Sequence, residues 1–67
     1  MTYLEAANNS FGQARAAMRI QDFAKAARFF HHAKEMFQHY EHATGDSRRL
    51  SDFAARWTRT AIQKRDA

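Results

Sequence analysis

The stretch Asp22-Phe-Ala-Lys-Ala-Ala-Arg-Phe-Phe-His-His-Ala-Lys-Glu-Met-Phe37, running on to Tyr40, decides how this chain folds. Phe23, Phe30 and Phe37 recur every seven residues, and Ala26, Ala33 and Tyr40 repeat that interval three places later. This is the period of a helix, since a half-buried strand would alternate apolar and polar residues. Phe29 and Met36 widen the apolar arc to about half the circumference, beyond the roughly 100° stripe of an ordinary surface helix. A helix that apolar needs cover on two sides, so the segments before and after it are expected to supply that cover.

The preceding segment reads as a helix over 3–19. Thr2-x-x-Glu5 has the form of a capping box, in which the hydroxyl accepts from the amide three residues on and the carboxylate reaches back. Leu4, Ala7, Phe11, Ala14 and Met18 fall on one stripe, with Tyr3 and Ala17 at its edge. Asn8, Asn9, Ser10 and Gly12 are weak helix formers, so this helix leans on tertiary contacts. Gly12 is expected to mark close approach of another helix. A tight connection at Arg19-Ile20-Gln21 follows. Asp22 is the N-cap of a second helix over 23–43, and Gly45 is its stop. So short a connection makes the first two helices antiparallel neighbours.

Asp46 or Ser47 is expected to cap a third helix over 47–65. Its stripe is Leu50, Phe53, Ala54, Trp57 and Ala61, with Thr60 beside them; Ile62 falls outside it and is expected at the surface. The expected fold is all-α, a small antiparallel three-helix bundle forming one domain over 1–67. Two glycines and no proline suit that reading.

Composition narrows the function classes. Sixty-seven residues are close to the lower limit for an autonomous core, which favours oligomerisation or partner binding. Without cysteine there is no disulfide and no thiolate metal site. No apolar run approaches the ~20 residues that span a bilayer, and the N-terminus lacks the basic and apolar regions of a secretory signal. A cytoplasmic location is the expectation. The net charge is +4, which favours acidic partners. Residues 46–67 hold Arg48, Arg49, Arg56, Arg59, Lys64 and Arg65 against Asp46, Asp52 and Asp66, so the excess is concentrated in the third helix.

Gln21 to Met36 resembles the second helix of a tetratricopeptide repeat. That motif opens on a Gly-Asp-Tyr turn and carries small residues seven apart with an aromatic pair between them. Asp22 and Phe23 match the turn, Ala26 and Ala33 the small residues, and Phe29-Phe30 the aromatic pair. The match covers roughly residues 10–37. Ala14 stands where the family has its glycine, Ala17 where it often has an aromatic, and the terminal proline is missing. One such repeat followed by a third helix is similar to the microtubule-interacting-and-trafficking type of three-helix domain. Both resemblances imply a protein-binding module that holds a partner helix or peptide in an inter-helix groove. A solenoid needs about three repeats and is excluded.

Two constellations could carry chemistry. His32, Glu35, His39 and His42, with His31 beside them, recur at spacings of three and four. That places imidazoles and a carboxylate near one another on one helix face, where Zn²⁺ or Ni²⁺ could bind. A structural site needs ligands from a second element, so the set reads as a solvated, His-rich face and no metal or other cofactor is expected. The second is the arginine face of Arg48, Arg49, Arg56 and Arg59, which could grip phosphates. The helical count projects Trp57 with Leu50 and Ala54, away from Arg56 and Arg59, and so into the core. No Gly-rich phosphate loop, Ser/His/Asp set or paired inward carboxylates occur, so an enzyme is not expected.

The sequence therefore points to a non-catalytic protein-interaction module, an adaptor or inhibitor, with a homodimer as one expected form. The flank Phe29, Met36 and Tyr40, with Ile62, is the expected partner-binding surface. A basic nucleic-acid-binding protein using the arginine face ranks second, and membrane insertion is not expected.

Overall fold

Asp22 organises the first turn from both sides. Its backbone N–H donates to Ala17 O at 2.9 Å, and Gln21 N–H donates to Met18 O at 3.1 Å. These two bonds form a Schellman closure, with Gln21 in the left-handed region at φ 61°. Asp22 Oδ1 then accepts from Lys25 N–H at 3.2 Å and caps the next helix. One residue thus ends the first helix and starts the second. The computed structural model describes residues 2–67 and contains α1 (Tyr3–Arg19), α2 (Phe23–Thr44) and α3 (Leu50–Asp66).

The other helix ends follow from local chemistry. Thr2 Oγ1 accepts from Glu5 N–H, while the Glu5 carboxylate accepts a hydrogen bond from the Thr2 hydroxyl instead of reaching the backbone. Only half of the capping box forms. Gly45, at φ 71°, stops α2 with its N–H on Glu41 O. Helix α3 begins three residues later than the sequence suggests, and neither Asp46 nor Ser47 caps it. The Asp46 carboxylate folds back onto the backbone N–H and guanidinium of Arg48. Arg49 turns left-handed at φ 61°, which no helical residue can adopt, so α3 starts only at Leu50. Its first turn is tied to α2 by Ser51 Oγ, which donates to Glu41 Oε1.

Helix α2 packs against both neighbours. Tyr3 stacks on His39 and Ser51 meets Glu41, so the starts of α1 and α3 both lie beside the end of α2. The chain is therefore an all-α, up-down-up three-helix bundle in which α1 and α3 run parallel. Its extents of 37 × 20 × 13 Å are unequal in the two short directions. Three helices in a closed triangle, at the usual 8–10 Å separation, would make those nearly equal. The bundle is flattened, with α2 in the middle.

Among the described residues, every buried hydrophobic residue apart from Phe30 and Phe37 is an alanine. Ala14, Ala17, Ala26, Ala27 and Ala61 surround Phe30 near the first turn, and Ala7, Ala33 and Ala54 surround Phe37 at the other end. Alanines let the helix axes approach but leave no room between them for large side chains. Those are pushed to the margins. Phe53 and Trp57, expected in the core, are 52% and 37% exposed. Ile62, expected at the surface, is half-buried against the Phe30 cluster. Gly12 is exposed, and a Cβ there would meet nothing within 4 Å, so close helix approach is not its role. Among the described residues, no helix is long and apolar enough to cross a membrane.

Candidate interaction surface

Ala54 and Ala61, seven residues apart on α3, face α2 and are fully buried. Phe53 and Trp57 stand one place before and three places after Ala54, so they lean over the edge of α2 toward α1. Trp57 stacks on Phe30 with centroids 5.7 Å apart and planes at 22°. Phe53 stacks on Phe11 of α1 at 5.7 Å and 22°, and Phe11 meets Phe30 edge to face at 5.2 Å. Phe53 and Trp57 close the set at 6.4 Å. Four rings from three helices therefore form one continuous aromatic cluster. Its inner members are covered, and its outer members lie open between α1 and α3.

Arginines border the open side. Phe53, Arg56, Trp57 and Thr60 line a concavity of about 190 Å³. A second, of about 280 Å³, is lined by Arg48, Arg49, Asp52, Phe53 and Arg56. Trp57 and Arg56 thus share one surface, against the helical-wheel reading that separated them. The wheel assumed that the apolar stripe faces inward as a unit, whereas the alanines turned it so that its aromatic half looks outward. Arg48 is held by Asp46 at 2.6 Å, with a further donation to the Tyr40 hydroxyl at 3.5 Å. The hydrogen bonds and charge of Arg48 pull the Asp46 carboxyl from its ordinary 3.8 to about 2, and Asp46 in turn raises the Arg48 guanidinium. Arg49 pairs with Asp52 at 3.0 Å, and both side chains remain exposed.

The flank expected to bind a partner is largely spent on folding. Phe29, Met36 and Tyr40 are each half-buried. Phe29 packs on the cluster around Phe30, and Met36 on the cluster around Phe37. Phe29 still lines a concavity of about 440 Å³ between α1 and α2, with Ser10, Lys25, Arg28 and His32. Lys25 Nζ sits 5.9 Å over the Phe29 ring, a cation–π distance.

The histidines of α2 are dispersed to separate partners. His31 Nε2 meets Glu35 Oε1 at 3.0 Å, and His32 Nδ1 shares a 2.6 Å hydrogen bond with Ser10 Oγ. His39 stacks on Tyr3 at 5.1 Å. Among the described residues no three His, Cys, Asp or Glu side chains converge as a metal site would require. The sequence set of His32, Glu35, His39 and His42 is thus not gathered in space.

The exposed Phe53–Trp57 pair is the feature that sequence reasoning missed. A signal was present: alanines at 54 and 61 mark the close-packed line of α3 better than its larger residues do. The chain matches no family model, no curated protein sequence and no solved structure.

Proposed function

We propose that this protein is a small non-catalytic interaction module, an adaptor or inhibitor, that holds an apolar segment of another protein against the aromatic surface between α1 and α3. One observation carries the reading: Phe53 and Trp57 are exposed side by side on an ordered helix and are continuous with Phe11. Large apolar side chains grouped at a surface mark interaction sites, and aromatics with arginine are the residues that dominate binding energy. The resemblance of the α1–α2 hairpin to a tetratricopeptide unit supports the same class. The test is affinity capture from the native host with the wild-type chain and with Phe53→Ser, identifying both proteins and nucleic acid. A protein recovered by the wild type and lost with Phe53→Ser supports the reading, and equal recovery by both rejects it.

A second reading is favoured by one specific observation, that Arg56 lines the same concavity as Phe53 and Trp57. Aromatic platforms flanked by cations bind single-stranded nucleic acid. A titration with single-stranded oligonucleotide separates the two: binding that weakens steeply between about 50 and 200 mM salt supports the second reading, and no binding rejects it.

A further inference from the structure

We propose that the partner segment held between α1 and α3 is an acidic amphipathic helix; this rests on the interaction-module reading above and names the chemistry of its partner. On α3, Phe53, Arg56, Thr60 and Lys64 follow one another at intervals of three and four, with Trp57 in the same stripe, and Arg49, just before the helix, lines the same surface as Phe53 and Arg56. Beyond the Trp57–Phe30 stack that stripe lies off α2, which takes the Ala54–Ala61 face, and α1 reaches it through the ring of Phe11. From Arg49 to Thr60 it runs roughly 17 Å, about three helical turns.

The shape selects a helix. Both walls are α-helices whose backbone groups are already paired within themselves, so the groove offers no free edge to which an extended strand could bond. A helical occupant satisfies its own backbone and brings side chains alone. The rings of Phe53 and Trp57 require an apolar stripe on that occupant.

The charge selects an acidic one. Arg49 and Arg56 line the α3 side, Lys64 lies beyond them over the Phe23 ring, and Arg15, one turn beyond Phe11, is exposed on α1. Asp52 is the acid lining these concavities, and it is already paired with Arg49. The same balance argues against a second copy of this chain as occupant. A two-fold pairing of α3 stripes would set Arg49, Arg56 and Lys64 against their own equivalents, a like-charge arrangement that costs affinity.

Trp57 is the sole tryptophan and reports directly on the groove. Three synthetic 16-residue helical peptides serve as probes. The first carries leucines at helical spacing and glutamates elsewhere. The second carries the same leucines with lysines, and the third carries the glutamates with alanine in place of leucine. An oligothymidylate is the fourth probe. Only the first should saturably shift Trp57 emission. The double variant R49E/R56E should weaken it at least tenfold and admit the lysine peptide. Phe53→Ser should weaken it similarly while circular dichroism stays unchanged. Equal binding of the lysine peptide to the wild type would overturn the acidic partner while leaving the interaction module standing. A response to oligothymidylate or to the leucine-free peptide as strong as to the first would overturn it in favour of a general polyanion site. No response to the first peptide also overturns it, and the interaction reading is then decided separately by the capture experiment with Phe53→Ser.

Discussion

Trp57 lies face to face with Phe30, their centroids 5.7 Å apart, so an exposed ring rests directly on the largest fully buried side chain among the described residues. Packing and recognition are joined through one ring contact. Stability and binding are therefore expected to separate only when the substituted ring is an outer one.

Phe30→Ala should unfold the domain or leave it barely folded. Truncating a buried Phe costs about 3–5 kcal/mol, and the remaining buried hydrophobics are alanines plus Phe37. Thermal melting by circular dichroism checks this, with Trp57 emission moving to the red as its stacking partner disappears. A melting temperature within a few degrees of wild type would remove Phe30 from the centre of the core.

Phe53→Ser and the pair Phe29→Ser with Met36→Ser should behave in opposite ways. Phe53 is half open to solvent, so its loss should cost little stability and much binding. Phe29 and Met36 are half-buried on the two core clusters, and each replacement should cost about 1 kcal/mol, half of a full burial term. Urea midpoints and a binding titration on the same variants decide it.

Three backbone positions give signed predictions. Gln21 closes α1 at φ 61°, where a side chain costs about 1–2 kcal/mol that glycine avoids, so Gln21→Gly should stabilise by about 1 kcal/mol. Gly12 lies inside α1 with open space around its Cβ direction, and Gly12→Ala should gain about 1 kcal/mol in helix propensity. Gly45 needs φ 71°, and Gly45→Ala should lose about 1 kcal/mol. Shifts of the midpoint at constant urea dependence would confirm all three, and a stabilising Gly45→Ala would contradict the α2 stop.

The pairing of Asp46 with Arg48 makes the α2–α3 connection acid-sensitive. The folded carboxyl titrates at about 2 against its ordinary 3.8. A depressed carboxylate contributes stability that is fully present above the unfolded value and is lost as pH falls through the folded one. Stability should thus decline between about pH 4 and pH 2 through this group. Asp46→Asn should flatten that part of the curve, and added salt should shrink the difference because the pair is at the surface. An Asp46→Asn variant whose acid unfolding coincides with wild type would show that the pair does not contribute.

Sequence alone determined the elements whose causes are local. The period of Phe23, Phe30 and Phe37 required a helix, Asp22 and Gly45 bounded it, and the short turn at Arg19–Gln21 forced antiparallel packing. Each depends on residues within a few places of one another, so each is written in the chain. The start of α3 was also local, but two local options competed: Asp46 found the Arg48 amide and guanidinium in preference to a helical N–H. What only the tertiary structure decided is which part of an apolar stripe turns inward. On α3 the stripe holds both alanines and aromatics, and helical spacing cannot rank them. Once α1 and α2 are drawn together over Ala14, Ala17, Ala26 and Ala27, α3 docks by Ala54 and Ala61, because small side chains permit the closest approach and the best dispersion contact. Phe53 and Trp57 are then left at the rim with Arg56 beside them, and Phe29 and Met36 are drawn into cover. The candidate surface results from that competition for space among three helices, which no single segment records.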